Sequence, residues 1–140
     1  MKVEGKLFAP PATDEKVLQL RAELPAETPG DYFDFLRAAD GGEIWFDVDS
    51  PQGFDCIRFY STKEMLQFRP TYQELLPTLL VIGGDQGSQL LAYDISSRSP
   101  WPIVMFLPGW GAEHVAYNFN ELRWRFIREI GETIPEEAEQ

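Results

Sequence analysis

The sequence of 140 residues predicts one globular domain in which helices flank a central β-sheet. Residues 78–95 form two apolar arms around a polar, glycine-rich segment, a pattern that predicts a β-hairpin. Helix-capping signals occur both before and after this hairpin, and no repeat or change of composition divides the chain. Because both arms are apolar at successive positions, we expect the hairpin to lie mid-sheet with both faces covered.

The N-terminal part predicts a loose leader followed by two helices. Residues 1–12 contain two prolines and only scattered apolar side chains, which favours a leader without regular structure. Thr13 is expected to cap a helix over residues 14–23. Thr28 is expected to cap a second helix through a capping box, and the glycines in residues 40–42 should end it by adopting the left-handed conformation.

The middle of the chain predicts two strands and two short helical pieces. Residues 44–48 and 56–60 have strand character, and the second of these alternates between two faces. Ser61 precedes Glu64 by three positions, which is the spacing of a capping box, so a short helix is expected to start there. We expect Pro70 to end that helix, with a separate single turn over residues 71–76.

The C-terminal part predicts two more strands and a final helix. The strands are expected at residues 103–107 and 113–117. Asn118 should cap a helix that ends near Gly131. Residues 135–140 then form an acidic tail that we expect to fray, so that residues 13–134 make up the globular domain.

The charge and the cysteine content limit the classes of partner and of compartment. The 23 acidic and 12 basic side chains give a net charge of -11, which disfavours nucleic acids and anionic membranes and favours a basic protein partner. Cys56 is the only cysteine, so an intramolecular disulfide is excluded. The N-terminus lacks a signal-peptide core and no apolar run reaches the length of a membrane span. We therefore expect a soluble, cytoplasmic protein.

Three apparent ligand motifs lack residues that their ligands require. The glycine-rich residues 83–87 lack the spacing and the following lysine of a phosphate loop, and a strand follows where a helix is required. Residues 47–58 begin like a calcium loop but carry Gln52 at its glycine position. His114 is the only histidine, so no histidine-based metal cluster can form. No metal and no cofactor are therefore predicted.

An enzyme remains an alternative interpretation at this point. Cys56, His114 and a carboxylate could meet in space as a nucleophilic triad, although they are far apart in sequence. Against that hypothesis, Cys56 lies in a predicted strand among apolar neighbours, where a lone cysteine is usually a small buried hydrophobic residue.

Aromatic and acidic side chains in loops are the candidate contacts for a protein partner. Trp101 lies between two prolines and Trp110 between two glycines, in loops where a rigid ring can anchor a partner or can instead fold back over the core. The acidic candidates are Asp47, Asp49 and Asp85.

Three short motifs occur in order along the chain. They are Pro29, Asp31-Tyr32, Phe35-Leu36 and Asp40-Gly41-Gly42, then Leu80 to Gly83 leading through Gly87 to Leu91-Ala92-Tyr93-Asp94, and finally Tyr117-Asn118-Phe119. Taken together, these motifs resemble the SUKH superfamily, which contains fungal cell-wall assembly regulators of the Smi/Knr type and many bacterial immunity proteins. Thr28 and Asp40 stand where the family usually has Leu and Asn.

This resemblance implies both a fold and a class of function. The fold would be α+β, with a mostly antiparallel sheet of about five or six strands and flanking helices, one of them C-terminal. The function would be that of a non-enzymatic binding module, in bacteria commonly an immunity protein that binds and silences a cognate toxin such as a nuclease. The fungal relatives imply the alternative of a regulatory or scaffold domain. No catalytic residue carries over, and no oligomeric state is predicted.

Overall fold

A computed structural model describes residues 3–46 and 56–124 of the chain, with side chains from Leu7 onward. Within these residues, seven strands and four helices form one α+β unit. No helix in this part of the chain combines the length and the apolar character needed to cross a bilayer. In chain order the elements are β1 (Val3–Phe8), α1 (Asp14–Glu23), α2 (Gly30–Ala38), β2 (Gly42–Phe46), β3 (Cys56–Phe59), α3 (Thr62–Leu75), β4 (Leu79–Gly84), β5 (Leu90–Asp94), β6 (Ile103–Leu107), β7 (Gly111–Ala116) and α4 (Phe119–Leu122).

The sheet is an antiparallel meander in which each strand pairs with its neighbour in the chain. The α+β class and the antiparallel sheet are confirmed, but the sheet has seven strands where five or six were expected. The additional strand is β1, which lies inside the segment expected to be a loose leader. It pairs with β2, and a Cβ at Gly42 would lie only 2.6 Å from the carbonyl oxygen of Leu7. This close backbone approach therefore requires glycine.

The β4–β5 hairpin occupies the centre of the sheet, as the sequence predicts. All six residues of β4 are buried, so both of its faces are covered. A register shift between Val81 and Gly83 interrupts the pairing with β5. A Cβ at Gly83 would lie 2.0 Å from the carbonyl oxygen of Arg58, so glycine is what allows β3 and β4 to approach here.

The first helix begins as predicted, whereas the start of the second differs. The Thr13 hydroxyl accepts a hydrogen bond from the backbone N–H of Lys16 at 3.3 Å and caps α1. Thr28 instead donates its hydroxyl to the carbonyl oxygen of Pro25 at 2.7 Å, and Pro29 is the N-cap of α2. The predicted capping box at Thr28 is therefore wrong, because its side chain closes the preceding turn.

The glycines after α2 shape the entry into β2 and do not cap the helix. Ala39 follows the last helical residue with an extended backbone, φ -155°. Gly41 then adopts φ +85°, and its carbonyl oxygen accepts a hydrogen bond from the N–H of Ala9. The left-handed glycine therefore serves the turn that brings β1 and β2 together.

Helix α3 is one continuous helix of 14 residues, which corrects the prediction of two pieces separated at Pro70. The capping box of Ser61 and Glu64 is confirmed. A proline inside a helix costs about 3 kcal/mol, so tertiary packing must offset it. Phe68 and Tyr72, on either side of Pro70, both pack against Tyr60, with ring centroids 5.2 and 6.5 Å away.

The core joins α2 and α4 to one face of the sheet through aromatic rings. The rings of Phe35 and Phe59 lie 5.1 Å apart, and Phe119 lies 5.1 Å from Phe35. Asn118 caps α4 by accepting the N–H of Glu121 at 2.8 Å, as predicted. The predicted remainder of this helix to Gly131, the end of the globular domain and the acidic tail lie outside the described residues.

Asp40 connects the end of α2 to the start of α3. Its carboxylate accepts the backbone N–H of Thr62 at 2.7 Å and the Thr62 hydroxyl at 3.1 Å. We expect Asp40→Ala to lower the free energy of unfolding by about 1–3 kcal/mol, because two donors of the buried Thr62 lose their acceptor.

Urea unfolding of Asp40→Ala, Asp40→Asn and Asp34→Ala measures this effect. Asp40→Asn keeps one acceptor oxygen and should lose less stability. Asp34→Ala removes an exposed carboxylate that pairs with Arg37, and it should change stability by only about 0.5 kcal/mol. Equal losses in Asp40→Ala and Asp34→Ala would contradict this role of Asp40.

Candidate functional site

The meander brings two of the predicted binding residues to the same end of the sheet. Asp85 begins the β4–β5 turn and Trp110 lies in the β6–β7 turn. Leu90 pairs with Phe106, so these two turns emerge side by side. The two hairpins are two strand spacings apart, a separation of about 10 Å. We call this region, residues 85–89 and 107–111, the turn end of the sheet.

Trp110 is a large, exposed ring on a tightly built turn. Its side chain is 86% exposed. The backbone N–H of Trp110 donates to the carbonyl oxygen of Leu107 at 2.9 Å, which closes the turn. Gly109 and Gly111 have φ values of +87° and +99°, a conformation that other residues adopt only with strain. The turn therefore presents the ring on an ordered backbone.

Trp101 belongs to the core, which corrects its prediction as a surface contact. Its side chain is only 5% exposed, and its ring lies 6.2 Å from that of Tyr93. The backbone N–H of Asp94 donates to the carbonyl oxygen of Pro102 at 2.9 Å and holds this loop against β5. The loop folds back over the core, so Trp101 is not available to a partner.

Asp85 is at the turn end, but its carboxylate organises the turn itself. One carboxylate oxygen accepts the backbone N–H groups of Gly87 at 2.8 Å and Gln89 at 3.1 Å, and the other accepts the side-chain amide of Gln89 at 3.3 Å. The Asp85 carboxylate therefore places a negative charge at the turn end, but both of its oxygens already accept hydrogen bonds from within the turn. The other two acidic candidates, Asp47 and Asp49, lie outside the described residues.

The structure separates the two residues of the alternative enzyme hypothesis. Cys56 is on β3 and His114 is on β7, four strand spacings apart, or about 19 Å along the sheet. Burial raises the pKa of the Cys56 thiol, although a hydrogen bond from the side-chain amide of Gln86 opposes this effect. The proposed Cys56–His114 triad is therefore wrong. Among the described residues, no group of three or more His, Cys, Asp or Glu side chains is arranged to hold a metal ion.

The burial of the Cys56 thiol can be tested by its chemical reactivity. Cys56 is 2% exposed, and its raised pKa keeps it protonated at neutral pH. We expect a thiol-specific reagent at pH 8 to modify the native protein roughly 100-fold more slowly than the urea-unfolded protein. The reagent reacts with the thiolate, and the native protein must first open locally to expose Cys56. Absorbance of the released chromophore measures both rates. Comparable rates in the two states would contradict the burial of Cys56.

Sequence reasoning missed two exposed rings that lie along β7 and just after it. Tyr117 is 69% exposed, and the ring of the exposed His114 lies 4.4 Å from it. Both rings are exposed because β7 is the last strand of the described sheet. The run of small and polar residues in Gly111–Ala116 is a weak sequence signal of an exposed edge strand. We call the set Trp110, Glu113, His114 and Tyr117 the β7 edge surface.

A family model described as SMI1 / KNR4 family (SUKH-1) matches residues 11–123. The chain belongs to this family. The match extends from the residues before α1 to the end of α4, which confirms the resemblance that the three motifs indicate. No curated protein matches the chain.

The motifs that mark this SUKH-1 protein lie mainly in its core. Tyr32, Phe35, Leu36 and Phe119 are all fully buried. Gly83 is the close backbone contact between β3 and β4. The turn of Trp110 and strand β7 itself carry none of the motif residues, although Tyr117 of the β7 edge surface belongs to the third motif. The motif residues that decide family membership are therefore mainly positions that build the fold.

Proposed function

We propose that this SUKH-1 protein is a non-enzymatic, cytoplasmic binding module of the immunity type, which binds and neutralises a basic toxin domain such as a nuclease. The observation that carries this proposal is the exposed Trp110 ring, held on a tight turn at one end of the sheet. The chain has a net charge of -11, which is complementary to the positive charge of a basic toxin.

Trp110 has the properties of an interface anchor. Tryptophan is enriched among the residues that dominate binding energy at protein interfaces, and the Trp110 ring is exposed in the free protein. The hydrogen bond from the Trp110 N–H to the Leu107 carbonyl oxygen forms the turn in the free protein, so less conformational entropy is lost when a partner buries the ring.

The negative charge favours a partner with a basic surface. Toxins that cleave nucleic acids need basic side chains to hold the phosphate backbone. An acidic protein is attracted to such a surface over several ångströms, which raises the association rate and makes it sensitive to salt. An acidic surface that covers the substrate channel would also exclude nucleic acid.

The position of Cys56, the only cysteine, supports a binding role over catalysis by a cysteine nucleophile. Cys56 is buried, its thiol pKa is raised, and it lies about 19 Å from His114. A nucleophilic cysteine instead needs a lowered pKa and an adjacent base.

Co-expression with a toxin encoded next to this gene tests the proposal. We expect cells that produce the toxin to survive only when this protein is also produced, and we expect the two proteins to co-purify as a complex. Binding should weaken as salt is raised from 50 mM to 500 mM. Co-purification with a cellular protein in the absence of any protection would favour the regulatory or scaffold alternative. The absence of both protection and a basic partner would contradict the proposal.

A further inference from the structure

Strand β7 is the last strand of the sheet among the described residues. There it pairs with β6 on one side only, and residues 111–114 are all exposed. A terminal strand carries a row of backbone N–H and C=O groups that no neighbouring strand satisfies. Such an edge can accept an additional strand from another molecule.

The edge of β7 carries few of the features that usually prevent strand addition. Natural edge strands commonly carry lysine, proline or a bulge. The sequence of β7 has neither lysine nor proline, and its register shift lies at the far end, where Ile103 and Val104 pair with Ala116 and His114. Residues 111–114 therefore pair with β6 without a register shift. At the opposite edge of the sheet, β1 contains Lys6 and a register shift between Val3 and Gly5.

The side chains along this edge indicate the chemistry of an incoming strand. Exposed aromatic rings flank β7, Trp110 at one end and Tyr117 at the other. The only charged side chain in β7 is the acidic Glu113. Aromatic faces and a carboxylate both attract lysine and arginine. A second copy of this chain would instead be repelled, because each copy carries a net charge of -11.

We propose that β7 accepts an extended, lysine- or arginine-containing segment of the protein partner as an eighth strand. The backbone of that segment pairs with residues 111–114, and its basic side chains contact Trp110, Glu113 and Tyr117. This inference rests on the proposed binding function, and it adds the mode of binding and the type of segment that the partner supplies.

A synthetic peptide tests strand addition without the natural partner. The probe is a blocked decapeptide of alternating lysine and valine, and the control replaces every lysine with glutamate. We expect saturating lysine peptide to slow amide hydrogen exchange of residues 111–114 by roughly tenfold or more, with no slowing by the glutamate peptide. Absence of slowing, slowing elsewhere only, or equal slowing by both peptides would overturn the proposal.

Variants at the edge sharpen this test. Ala112→Lys places a repelling charge on the edge and should weaken binding of the lysine peptide by about tenfold, whereas Ala112→Glu should preserve it. An equal effect of the two substitutions would contradict the proposal. Protection of residues 111–114 that rises with protein concentration in the absence of peptide would identify a second copy as the occupant, and would also overturn it.

Failure of strand addition can be distinguished from failure of the immunity function. Toxin neutralisation without slowed exchange of residues 111–114 in the complex would reject the eighth strand and leave the immunity function standing. Peptide addition to β7 without protection of toxin-producing cells would support the edge site and reject the immunity function.

Discussion

Replacing Trp110 with alanine is expected to weaken binding of the co-purified toxin domain roughly 30-fold or more, the effect of losing about 2 kcal/mol at a binding hot spot. The ring is 86% exposed, so its removal leaves no cavity in the free protein. The free energy of unfolding should therefore stay within about 0.5 kcal/mol of the parent value. Isothermal titration calorimetry measures the affinity for the toxin domain, and urea unfolding measures the free energy of unfolding.

Two other tryptophans provide matched controls for this prediction. Trp45 is 44% exposed on β2, next to the opposite edge strand β1, so Trp45→Ala should leave toxin binding unchanged. Trp101 is buried, so Trp101→Ala should lower stability by about 3 kcal/mol. Equal losses of affinity in Trp110→Ala and Trp45→Ala would show that exposed tryptophans contribute regardless of position. Unchanged affinity in Trp110→Ala would remove the proposed anchor.

Replacing Phe119 with alanine is expected to lower the free energy of unfolding by about 3–5 kcal/mol. Phe119 is fully buried, and its ring lies 5.1 Å from Phe35, 5.7 Å from Tyr32 and 6.1 Å from Phe59. These partners come from α2 and β3, so no single element can move to fill the cavity. Because a loss of this size is a large share of the stability of a small domain, partial unfolding at 37 °C is expected.

Tyr117→Ala is the matched control for Phe119→Ala. Tyr117 is an aromatic residue two positions earlier, but it is 69% exposed, so its loss should change stability by about 0.5 kcal/mol at most. Urea unfolding followed by circular dichroism measures both variants. A loss below about 1 kcal/mol in Phe119→Ala would mean that the aromatic cluster does not hold α4 to the sheet.

The sequence by itself determined the features that depend on local interactions. The caps at Thr13, Ser61 and Asn118 each join residues three positions apart, so the pattern alone predicts them. The β4–β5 hairpin is also local, since its two arms are joined by one short turn. Family membership was recoverable because the motif residues occupy buried core positions, where packing restricts the choice of side chain.

Only the tertiary structure decided the features that depend on distant residues. Strand β1 exists because it pairs with β2, about 40 residues later, and its own pattern is weak. Helix α3 continues through Pro70 because Tyr60 packs against the turns on both sides. Trp101 and Trp110 both lie in short loops next to β6, yet the first loop folds over the core and the second extends from it. Whether a ring is buried depends on which distant residues pack against it, and the local sequence does not contain that information.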